Sequence, residues 1–265
     1  MSGPPVLALV ALGVGGLAVG WFLNLVIVRL PDGDRLLEPA SRCTHCEAPI
    51  GAADLVPVVS YVALRGRCRE CAEPLALAYP LVELATAGLW VAAGYRFGAT
   101  WALLPFLLLF STLLAQAVID LETYRLLDRI TYPVLAASVV LVAAVSAGEG
   151  DLDRVPLALA GAAGYFLLLF LPAVVYPKGM GLGDVKLAAL MGLYLGWVHP
   201  ILCLYALIGG CLLGVAAGLV LYLSRGGKSA PFPFGPCLAL GCVLAILFSG
   251  SILDIYGATT APYLA

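Results

Sequence analysis

Apolar runs of membrane-spanning length follow one another along nearly the whole chain, and they leave few folds open to it. A helix needs roughly 20 consecutive apolar residues to cross the hydrocarbon of a bilayer. Eight candidate spans meet or approach that need, at about 5–28, 77–95, 101–119, 129–147, 155–176, 183–198, 200–223 and 234–255. The second and sixth are short or interrupted. Only 11% of the 265 residues are charged and 62% are hydrophobic, whereas a soluble protein carries roughly 25% charged residues. A soluble α/β enzyme is therefore excluded. Most of the runs are too long and too evenly apolar for strands, and they lack the alternation of an outer-membrane barrel. Lipid offers no water to an open backbone, so the expected fold is all-α, a polytopic helical bundle of about eight transmembrane helices. The first run has neither the basic flank nor the cleavage site of a secretory signal and is read as a retained span. No basic cluster suggests nucleic acid.

The cations orient the bundle. With the N-terminus outside, the inner loops hold Arg29, Arg35, Arg42, Arg65, Arg67, Arg69, Arg125, Arg129, Lys178, Lys186, Arg225 and Lys228. These are 12 of the 14 Lys and Arg residues; only Arg96 and Arg154 fall outside. The positive-inside rule selects this topology over its inverse. Gly210-x-x-x-Gly214-x-x-x-Gly218 in the seventh span reads as a small-residue stripe for close helix contact.

The one long polar segment, 29–76, carries Cys43-Thr-His-Cys46 and Cys68-Arg-Glu-Cys71, two C-x-x-C pairs 21 residues apart. Each pair can present two thiolates from one tight turn, and two such turns complete a tetrahedral four-cysteine zinc site. The topology puts this loop in the cytoplasm, where disulfides are disfavoured. Four protein thiolates leave the metal no open position, so the expected zinc is structural. His45 reads as a surface residue. Cys203, Cys211, Cys237 and Cys242 fall in spans and read as small apolar residues.

Four acids fall in or at the ends of apolar spans: Glu83, Asp120, Asp184 and Asp254. A carboxylate there costs a few kcal/mol unless paired, solvated or protonated. Asp254 is near the outer end of the last span, where water can reach it. Glu83 divides evenly between a contact to a neighbouring helix and a functional role. Asp120 ends the third span and Asp184 opens the sixth, so the topology brings both to the cytoplasmic edge. Two close carboxylates in a partly dry site share a proton, one acting as general base and the other polarising a carbonyl. Gly179, Gly181 and Gly183 beside Asp184 suggest close approach and unusual dihedrals. Membrane acids also serve ion and proton paths, and on the residues alone the two readings stand level. A transporter predicts acids at mid-bilayer in repeated halves, and no repeat is visible. A membrane scaffold displaying a zinc loop gives no reason for two acids at one edge.

The sequence resembles the type IV prepilin peptidases, membrane aspartyl proteases of the GxGD type. The resemblance covers nearly the whole chain. It is carried by Gly20-Trp-Phe-Leu-Asn24-Leu-Val-Ile-Val-Arg29-Leu-Pro31, both C-x-x-C pairs, Tyr79-Pro-Leu-Val-Glu83-Leu, Ile119-Asp120, Gly181-Leu-Gly183-Asp184-Val-Lys186 and Phe234-Gly235-Pro236. It implies an enzyme of the bacterial inner membrane that cuts the basic leader of prepilins or pseudopilins after a glycine, at the cytoplasmic face. It also implies methylation of the new N-terminus with S-adenosylmethionine. Asp120 and Asp184 carry over as the catalytic pair, and Cys43, Cys46, Cys68 and Cys71 as zinc ligands. Gly20, Asn24, Arg29 and Glu83 carry over as candidates for the methyl-transfer cofactor. The implied division is 1–76, a first helix plus zinc loop tied to methyl transfer, and 77–265, the peptidase bundle. Two positions depart from the family pattern: Trp21 replaces the usual Ser, and Leu127 replaces the usual Pro before Asp128. Asp128 itself reads as the N-cap of the fourth span.

Overall fold

The structure is a computed structural model that describes the chain apart from residues 1–4, 35, 37–42, 44, 52–55, 177–180, 226–231, 259–261 and 265. Arg35, Arg42, Lys178, Gly179 and Lys228, singled out above, lie outside the described residues. The secondary structure is helical, and the chain divides into two compact units, Met1–Tyr95 and Arg96–Ala265.

The first unit holds α1 (Val6–Arg29), a short α2 (Val59–Ala63) in the polar loop, and most of α3 (Ala78–Phe97). The 24 residues of α1 at about 1.5 Å each are long enough to cross a bilayer. Glycines let α3 lie close on α1. A Cβ at Gly16 would sit 2.6 Å from the Ala87 Cα, and one at Gly20 2.6 Å from the Glu83 Cα. Small residues are how helices approach when no water drives them together.

The second unit holds α4 (Leu103–Thr123), α5 (Asp128–Gly148), α6 (Arg154–Val175), α7 (Leu182–Val198), α8 (Ile201–Ser224), α9 (Gly235–Leu247) and α10 (Ser249–Asp254). A short 3-10 turn, Pro262–Leu264, follows. Across the described residues α1, α4, α5, α6 and α8 are long and apolar enough to span a membrane. α3 carries Glu83 and Arg96, while α7 and α9 are shorter. The eight expected spans thus map onto eight helical segments, with two refinements. The last is broken at Phe248 into α9 and α10. The third runs on to Thr123, so Asp120 lies one turn inside its helix rather than at its end.

α7 is apolar all round from Leu187 on and buried without interruption from Leu190 to Val198, which makes it the central helix of this unit. Gly161 of α6 faces Gly196 of α7, and a Cβ at Gly161 would lie 2.6 Å from the Gly196 Cα. Two buried serine hydroxyls are matched across helices: Tyr194 donates to Ser138 Oγ at 2.8 Å and Trp197 Nε1 to Ser146 Oγ at 3.0 Å. The two arginines expected on the outer side are both engaged. Arg154 donates to the Val198 carbonyl at the end of α7, at 2.8 Å, and Arg96 to Ser249 Oγ at 2.8 Å. The glycine stripe of α8 is partly used, with Gly210 against Leu238 and Gly214 against Phe234, while Gly218 faces open space.

Candidate active site and metal centre

Asp120 is 6% exposed, on the last full turn of a helix that stops because Tyr124 turns left-handed at φ 55°. The Tyr124 N–H caps back to the Asp120 carbonyl at 2.9 Å. Asp184 lies in the first turn of α7, after Gly181 in extended conformation at φ −74°, ψ 141°. The third participant is the first residue of α9. The Gly235 N–H donates to Asp120 Oδ2 at 3.1 Å. That amide belongs to the first turn of a helix, where N–H groups have no partner within the helix and the dipole favours negative charge. Pro236 at the next position costs nothing, since its missing N–H is one of the same orphans.

Gly235 also reports how close the two acids are. A Cβ there would lie 2.7 Å from Asp120 Oδ2 and 3.4 Å from Asp184 Oδ1, so those oxygens are no farther apart than the two distances together. Asp184 Oδ1 is buried and has no hydrogen-bond partner among the described residues. Ends of three helices, α4, α7 and α9, thus deliver two carboxylates and one amide to one spot.

Of the close approach and unusual dihedrals expected of the glycines beside Asp184, the described residues show only the first, at Gly183. Neither Gly181 nor Gly183 has positive φ. Their value is space: a Cβ at Gly183 would meet Leu126 at 3.0 Å. The expected N-cap role of Asp128 is also corrected. Leu127 is the N-cap, at φ −90°, ψ 115°, and Asp128 is the first helical residue. Its carboxylate is drawn instead to Lys186 Nζ, at 2.7 Å, because α7 presents that ammonium within reach.

In the polar loop the four cysteine sulfurs all lie within 4.8 Å of one another. Cys43 and Cys71 sulfurs are 3.8 Å apart, and Cys46 and Cys68 sulfurs 4.0 Å. Metal–sulfur bonds of about 2.3 Å in a tetrahedron require edges of about 3.8 Å, so the set fits a four-coordinate metal. The two turns are built alike. The residue after each second cysteine, Glu47 and Ala72, has positive φ (57° and 58°), and its N–H bonds back to the Cys43 or Cys68 carbonyl at 3.0 Å. The backbone N–H groups of Cys46 and His45 pull the Cys43 thiol down to about 6, from its ordinary 9.0. His45 is exposed, as expected.

The first unit gathers three of the four cofactor candidates. Asn24 Nδ2 donates to the Tyr79 carbonyl at 3.1 Å and reaches Glu83 Oε1 at 3.5 Å. Gly20 lies against the backbone of Glu83. Glu83 Oε2 accepts the Val58 N–H at 2.7 Å. Val58 has φ 56°, a strained conformation for a β-branched residue. Arg29 stands at the end of α1 and donates to the Leu36 carbonyl at 2.7 Å.

The sequence reading did not single out two residues that the structure makes prominent. Gly235 was visible only as part of a resemblance. Gln116 is fully buried in α4, one turn before Asp120. A polar residue in an apolar helix, four positions from an acid on the same face, was the available signal.

Two carboxylates held together in an apolar helical bundle, with a helix-end amide on one of them, define a class: multi-pass membrane proteins with a candidate aspartyl site. The profile of the Bacterial Peptidase A24 N-terminal domain matches residues 14–97, and that of the Type IV leader peptidase family matches residues 107–219. The chain belongs to the type IV leader peptidase family. Among its relatives is a prepilin leader peptidase/N-methyltransferase of Aeromonas hydrophila, 37% identical over 91% of this chain and 90% of the relative. Proteins of the same description from Bacillus subtilis (34% identical; 91% and 94% covered) and Pseudomonas putida (35%; 89% and 89%) are similar. No solved structure matches at a significant level.

Proposed function

We propose that the protein is a membrane aspartyl endopeptidase that removes the basic leader of type IV prepilins or pseudopilins, cutting after a glycine at the cytoplasmic face of the inner membrane. The observation that carries this is the convergence of Asp120 and Asp184 on Gly235. One carboxylate takes a proton from the attacking water as general base. The other, protonated, donates to the scissile carbonyl oxygen and takes that proton back as the tetrahedral intermediate collapses, while the first passes the proton it took from water to the leaving amine. The Gly235 amide holds Asp120 in place. The cations Arg125, Arg129, Lys186 and Arg225 share the end that carries the acids in sequence, which supports a cytoplasmic site and an external N-terminus.

The four cysteines hold zinc. Zinc there supplies no open coordination position and serves to fold the loop. The second activity, N-methylation of the new N-terminus with S-adenosylmethionine, follows the names of the relatives. Asn24 Nδ2 and the Glu83 carboxylate are held by Tyr79, Val58 and each other. They stand as the candidate contacts to that cofactor. With Gly20 and Arg29 they tie the loop to α1 and α3.

Protein reconstituted with a prepilin should shorten it by one cut after a glycine, and labelled S-adenosylmethionine should add one methyl group to the new N-terminus. Cutting elsewhere, or none, overturns the peptidase reading. Cutting without methylation removes the second activity alone.

A further inference from the structure

Gln116 is buried to 0% exposure in an otherwise apolar stretch of α4. A primary amide there is costly unless its polar atoms are matched. Its partners all lie at the turn between α4 and α5. Gln116 Oε1 accepts the Leu127 N–H at 3.0 Å, and Nε2 donates to the Leu127 carbonyl at 3.0 Å and to Thr131 Oγ1 at 2.8 Å. One side chain therefore binds both backbone groups of the residue that caps α5.

That turn touches the other acid's helix at two points. Leu126, next to the clamped residue, fills the space that a Cβ at Gly183 would occupy, 3.0 Å away. Asp128, on the other side, pairs with Lys186. Gly183 and Lys186 flank Asp184 in the first turns of α7. Gln116 and Asp120 are one turn apart on the same face of α4. A rigid path thus runs from the helix of one aspartate, through residues 126–128, to the helix of the other.

We propose that Gln116 is a positioning residue, locking the α4–α5 turn so that Asp184 is held in register with Asp120. This rests on the reading of those two acids as the cutting pair. The clamp takes a form that suits this chain. Leu127 has an N–H to be satisfied, and Gln116 Oε1 satisfies it. A proline at 127 has no N–H and fixes φ by its ring, close to the −90° that Leu127 adopts. Such a turn is held without the acceptor.

The test uses the full-length reconstituted enzyme and a prepilin substrate. Q116M lowers kcat about tenfold or more, as expected when reacting groups shift by a fraction of an ångström. KM stays near the parent's, while the thermal midpoint falls because the Leu127 N–H is left without its acceptor. In the L127P background the same Q116M change costs less than about threefold, because the ring supplies part of the restraint. Unchanged kcat in Q116M, a loss carried by KM, or an equal loss in both backgrounds overturns the proposal. An inactive L127P enzyme does so too, since a locked turn is then not enough. If Q116M fails to fold, Q116L, which likewise removes the acceptor for the Leu127 N–H, carries the same comparison. D120N is measured alongside: if it still cleaves, the reading of the pair fails instead.

Discussion

At Gly235 an added methyl would sit 2.7 Å from an Asp120 carboxylate oxygen and 3.4 Å from Asp184, so something must move. G235A should reduce prepilin cleavage about a hundredfold or more, read as initial rate, while the protein keeps its thermal midpoint. The Asp128–Lys186 pair provides a contrast. Its side chains are half to a third exposed, and such pairs are worth about 1 kcal/mol or less. D128N should therefore shift stability little in a detergent melt. A large shift would mean that the contact is drier than its exposure indicates. Asp120 and Asp184 were legible as residues because the membrane penalises idle carboxylates. Gly235 was not, since a glycine's role in a tight site depends on what surrounds it in three dimensions.

Among the elements, the apolar runs were legible to within a few residues, because roughly 18 or more apolar residues in succession have one stable form in lipid. The break at Phe248 was not, since the apolar composition continues through it and only packing decides where the helix bends. Nor was the N-cap at Leu127, where the nearby acid made Asp128 the natural choice until Lys186 took its carboxylate. The α6–α7 contact depends on Gly161 facing Gly196. G196L should destabilise the second unit by about 1–3 kcal/mol or more, as overpacking does, with a lowered unfolding midpoint as the measurement. An unchanged midpoint would show that α6 can move away freely.

For the whole molecule, the two C-x-x-C turns and the placement of cations make claims that no single helix does. Purified protein should contain about one zinc per chain, and C43S or C68S should lose it; folded, active protein without zinc would contradict the metal assignment. Cysteines introduced at Asp151 and at Arg125 should react with impermeant reagents from opposite sides of intact cells, the first from outside. The sequence made the metal loop legible through spacing alone, because four thiolates on two tight turns leave little choice. It did not reveal that Glu83 holds the strained Val58, since that contact joins α3 to a loop 25 residues earlier in the chain.

The central claim is that Asp120 and Asp184 together cut the substrate. The most direct measurement is cleavage of a prepilin by purified D120N and D184N enzymes with zinc content and thermal midpoint matched to the parent. The account predicts that each variant alone loses cleavage, since one carboxylate cannot take the water's proton while it donates to the carbonyl. Normal cleavage by either variant would contradict it.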